Sequence, residues 1–80
     1  MSEIVSTRFA VRGVHSDDDV RKALQALFDI FADEGLGQAT FELAGGPTAD
    51  LVVKHQASVV PDRDAIDAAL ARAGDYRLAG

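Results

Sequence analysis

The stretch Gly13-Val14-His15-Ser16-Asp17-Asp18-Asp19 separates two segments of different hydrophobic period, and that change of period limits the folds open to this chain. Before it, residues 7–12 alternate. Thr7, Phe9 and Val11 fall on one side and Arg8, Ala10 and Arg12 on the other, as in a half-buried strand. After it, Val20, Ala23, Leu24, Leu27, Phe28 and Phe31 recur at i, i+3, i+4, i+7, i+8 and i+11, which predicts a helix with one apolar stripe. Gly35 is placed to end that helix. Ser16 and Asp19 form a Ser-x-x-Asp variant of the capping box, and three aspartates in the first turn complement the positive end of the helix dipole.

The rest of the chain repeats this scheme. Ala39, Phe41 and Leu43 alternate with polar residues over residues 38–43. Gly45-Gly46-Pro47 then turns the chain into a second run, Leu51-Val52-Val53-Lys54-His55. Pro61-Asp62 opens a second helix with the stripe Ile66, Ala69, Leu70 and Ala73, Gly74 closes it, and Tyr76-Arg77-Leu78 adds a short last strand. The order is βαββαβ, with no internal linker or repeat. Each helix has one stripe, so both must cover the same sheet face. The expected fold is an α+β, ferredoxin-like two-layer sandwich, a single domain over residues 1–80. Its four-stranded antiparallel sheet has the spatial order 4-1-3-2 and leaves one face open.

A formal charge of −5 opposes nonspecific binding to nucleic acid or to an anionic membrane surface. The absence of cysteine rules out disulfides and thiolate metal sites. No apolar run approaches the roughly 20 residues that span a bilayer, and the first residues lack the pattern of a secretion signal. A cytoplasmic protein is expected.

The residues around the loop resemble those of the heavy-metal-associated domains, the copper-chaperone-like family. Its members carry a strand, then Gly-Met-x-Cys-x-x-Cys, then a helix. Here Gly13-Val14-His15-Ser16-Asp17-Asp18-Asp19 is followed by Val20, Ala23 and Ala26-Leu27. Near the other end, Ile66, Ala68-Ala69-Leu70, Ala73-Gly74 and Tyr76 are similar to the family's closing helix and aromatic. The resemblance implies the βαββαβ scaffold. Ser16 and Asp19 stand at the two cysteine positions and Val14 at the methionine, so the resemblance implies a degenerate member without the soft ligands that Cu(I) requires.

Two surfaces carry candidate chemistry. The topology brings the Gly13 loop, the Gly45-Gly46 hairpin and the Gly74-Asp75 turn to one end, collecting His15, Asp17, Asp18, Asp19, Asp50 and Asp75. Of these, His15, Asp17, Asp19 and Asp75 are candidate ligands for a borderline divalent cation such as Zn²⁺, Ni²⁺ or Co²⁺. Helix capping explains the same carboxylates without a metal. His55 falls at the opposite end of the sheet and reads as a strand-end histidine.

The second surface is the open sheet face, where Arg8, Arg12, Lys54 and Arg77 are expected as neighbours forming a basic patch. Such a patch fits an acidic protein surface or a second copy of the chain, and it equally fits a solvated face that discourages aggregation. RNA binding would need outward aromatics, and none are present. Val11-Arg12-Gly13-Val14 faintly resembles the acylphosphatase phosphate loop, but the following aspartates would repel phosphate. No nucleophile-base pair is spaced for catalysis, so no enzyme activity is expected. The expectation is a non-enzymatic accessory or interaction module. The alternatives are the divalent-metal domain and a small-molecule-binding regulatory domain, whose element order is the same.

Overall fold

The computed structural model describes residues 3–43 and 45–79. In chain order these form β1 (Ile4–Arg12), α1 (Asp17–Glu34), β2 (Leu36–Leu43), β3 (Thr48–Gln56), α2 (Arg63–Ala73) and β4 (Arg77–Leu78). The strands build one antiparallel sheet in the order β2-β3-β1-β4, which from the other edge is the expected 4-1-3-2. The fold is α+β, with both helices contributing to one core on one side of the sheet.

Alternation decides which side that is. Phe9 and Val11 of β1, Ala39 of β2, and Ala49, Leu51 and Val53 of β3 are buried. They meet Ala23, Leu27 and Phe31 of α1 and Ile66, Ala69 and Leu70 of α2. The stripe of α1 is narrower than its sequence predicts, because Phe28 is 56% exposed. Its ring stands edge-on to Phe31 at 5.6 Å, at the margin of the core, while Ile30 packs partly inward. Among the described residues no helix is long and apolar enough to cross a membrane.

The helix ends follow the local chemistry. The Ser16 hydroxyl accepts the Asp19 backbone N–H at 3.2 Å, and Gly35 closes α1 in the left-handed region at φ 70°. Asp62 caps α2 by accepting the backbone N–H groups of Asp64 and Ala65. Two features escaped the periodicity. A bulge between Leu36 and Gln38 starts β2 two residues early, and β4 is only two residues long.

Gly13 closes β1 with φ 95°, and a Cβ on it would collide with the Asp75 carbonyl oxygen. Gly13→Ala therefore meets both backbone strain and a clash with main chain that cannot swing aside. The expected loss is about 2–3 kcal/mol, a fall in melting temperature of roughly 10–20 °C for a domain of this size. Thermal unfolding followed by circular dichroism checks it.

Candidate functional site

The loop end brings its expected segments together, and one of its carboxylates, that of Asp19, is committed to the fold. Gly13 packs against Asp75 and the Tyr76 ring, and Val14 and His15 border Gly45 and Gly46 across a small cleft. Asp19 is the centre of this end. Its Oδ2 accepts the His15 backbone N–H at 3.0 Å and its Oδ1 accepts the Tyr76 hydroxyl at 2.8 Å. The capping box differs here from its usual form, because the Asp19 side chain reaches back to the residue before the cap rather than to the cap itself.

These bonds set the local ionisation. The Asp19 carboxyl lies below its ordinary value, first because of the His15 N–H and then because of the Tyr76 hydroxyl. The Tyr76 phenol is pushed up to about 12, first by burial and then by the Asp19 carboxylate, with Asp18 and Asp75 adding to it.

The four candidate metal ligands are not arranged as a coordination site. Asp19 is engaged as described, and His15, Asp17 and Asp75 are exposed. Asp18 leans toward Arg21 at 3.7 Å. Among the described residues no group of three or more His, Asp or Glu side chains is placed to hold a metal ion. Asp50, expected at this end, instead lies on β3 opposite Ala10 and faces the open side of the sheet.

His55 stands at the end of β3, as expected, and is buried there. Its Nδ1 is 2.8 Å from the Gln56 carbonyl oxygen and its Nε2 is 2.7 Å from the Thr7 hydroxyl. An imidazole protonated at Nδ1 donates to the first and accepts from the second, which uses both nitrogens. A cleft of about 540 Å³ opens beside it, between the end of α1 and the bulged start of β2, floored by Phe31 and Leu36.

Of the four expected cations, Arg12 and Arg77 are cross-strand neighbours, but the register sets Lys54 far from them. Lys54 pairs with Ser6, whereas Arg12 pairs with Thr48 on one side and Arg77 on the other. Lys54 and Arg12 are thus six residues apart along the sheet, roughly 20 Å. Between them Arg8 reaches across β3 to Glu42 at 2.8 Å and Asp50 at 3.4 Å. Arg77 bends around the sheet edge toward Asp67 of α2 at 3.8 Å. The expected basic patch is therefore a central ion cluster with cations at its ends. Glu42 and Asp50 were missed as its members because alternation gives the face of a residue but not its cross-strand partner.

Searches of protein-family models, of curated proteins and of solved structures return no match to this chain.

The Asp19–Tyr76 bond predicts a pH dependence at both extremes. Tyr76 stays protonated above its ordinary 10 in the folded state, so its contribution is complete below pH 10 and lost as pH rises toward about 12. Asp19 contributes above 3.8 and loses its contribution as pH falls through its lowered folded value. The chain has one tyrosine, so phenolate absorbance during an alkaline titration reports Tyr76 alone. Ionisation should come near pH 12, together with unfolding. A reversible titration near 10 with the fold intact would show that the bond does not form.

Proposed function

We propose that this chain is a non-catalytic interaction module of ferredoxin-like topology, similar in scaffold to the heavy-metal-associated domains but without their thiolate chemistry. Its working surface is the sheet face that the helices leave bare. The observation that carries this reading is the distribution of charge. The loop-end carboxylate that a metal site would need is held in structural bonds. The open face, by contrast, presents Arg8, Arg12 and Lys54 against Glu42 and Asp50, with Arg77 turned at its edge toward Asp67, on a chain whose net charge is −5. The order β2-β3-β1-β4 supports the topology.

The face has a division of labour. The Arg8–Glu42–Asp50 cluster ties β1, β3 and β2 together and fixes the centre of the surface. Arg12 and Lys54 are exposed, and among the described residues they have no ion pair, so they can meet carboxylates on a partner protein. Half-buried Val52 and Thr40 lie between them, and Thr48 stands beside Arg12. Such surfaces steer encounter and fix orientation more than they add affinity. Contact through this face should therefore weaken as salt rises.

An amide NMR titration with a glutamate-rich peptide tests the reading. Salt-sensitive shifts are expected at Arg12, Thr48, Gln38, Val52 and Lys54, and the double change Arg12→Glu with Lys54→Glu should remove them while leaving the fold intact. Saturable shifts confined to residues 13–20 and 74–76 on adding Zn²⁺, with none on the sheet from the peptide, would replace it with the divalent-metal reading.

A further inference from the structure

We propose that the chain pairs with a second copy of itself through the free edge of β1, in an antiparallel two-fold seam centred on Ser6. The inference rests on the reading of the chain as an interaction module and names the partner and the place.

β1 is a central strand for only part of its length. β3 covers one side of it from Ile4 to Arg12, but β4 pairs only with Val11 and Arg12 on the other. The hydrogen bonds show which groups this leaves open. The Glu3 carbonyl accepts the Ala57 N–H on the β3 side, and the Ala10 carbonyl accepts the Ala79 N–H on the β4 side. Odd-numbered residues of β1 therefore face β3 and even-numbered ones face outward. Among the described residues, no strand pairs with the outward N–H and C=O groups of Ile4, Ser6 and Arg8.

Among the described residues, the strand from Ile4 to Arg8 carries no proline and no bulge that would protect such an edge. The edge of β4 is guarded, since the Asp67 carboxylate accepts the Leu78 N–H at 3.0 Å and Arg77 folds over it. On β1 the one charged residue that could guard the edge is Arg8, and its guanidinium is drawn away across the sheet to Glu42 and Asp50. Ile4, at the end of the open edge, is 62% exposed.

The strand is complementary to itself. Only even-numbered residues can exchange bonds across the seam, and β4 blocks the positions from Ala10 onward. The register that uses the whole remaining edge sets Ser6 opposite Ser6 of the second copy and Ile4 opposite its Arg8. On the core side it sets Val5 opposite Thr7. No like charges face each other in this register, since each Arg8 guanidinium is pinned on its own sheet. The Arg8 stem covers the exposed Ile4, and the serine hydroxyls meet across the two-fold axis. The seam is only five residues long, so a weak, concentration-dependent dimer is expected, at the small end of specific interfaces. Each copy carries −5, so added salt should strengthen it, opposite to its effect on the acidic-peptide contact.

Sedimentation of the purified chain from about 10 μM to 1 mM, with amide exchange read at Ser6 and Arg8, tests the seam. The expected result is a dimer fraction that rises with concentration together with protection of those two amides. Ser6→Pro removes an N–H that no strand among the described residues uses, so it should keep the circular dichroism spectrum and abolish the dimer. If Ser6→Pro fails to fold, the concentration dependence of exchange in the unaltered chain decides alone. A monomer at every concentration with rapid exchange at both amides overturns the inference, as does a dimer that survives in folded Ser6→Pro. Either of these leaves the sheet-face reading to be decided by the peptide titration.

Discussion

The Asp19 carboxylate is the tie on which this end of the molecule depends. It joins three segments that are distant in sequence: the loop after β1 through the His15 N–H, the first turn of α1 through its own backbone, and the entry to β4 through the Tyr76 hydroxyl. A capping carboxylate normally serves one helix. Here the same group also receives a hydroxyl from a residue 57 positions away, so the pitch of α1 and the return of the chain into β4 are set together. Gly13 makes room for this arrangement, because only a residue without a Cβ fits against the Asp75 carbonyl.

That tie gives one of the three aspartates at the start of α1 a structural role. With both oxygens of Asp19 engaged, its neighbours Asp17 and Asp18 are left exposed in the first turn, where they face the helix dipole.

Much of this was legible in the sequence, and the parts that were not share one cause. The alternation of Thr7, Phe9 and Val11, the stripe of Ala23, Leu27 and Phe31, and the stop at Gly35 are local periodic signals, and each emerges in its place. The pairing of Thr7 with His55, the clamp of Arg8 by Glu42 and Asp50, and the separation of Lys54 from Arg12 depend on strand register, which alternation alone does not fix. The two-residue β4 depends on Tyr76 being drawn into the core beside Asp19. At the candidate site the residue types were readable, but their partners were not. Asp19 was visible as a cap, and its bond to the chain's single tyrosine was not, since nothing local to either residue points to the other.

The most direct test of this account is a double-mutant cycle between Asp19 and Tyr76, read as unfolding free energy in denaturant. If the carboxylate ties the loop to the β4 entry, Asp19→Ala and Tyr76→Phe each destabilise the fold, and the double variant loses distinctly less than the two single losses added together. Strictly additive losses, or an Asp19→Ala variant as stable as the parent chain, would contradict it and return the loop carboxylates to the role of available ligands.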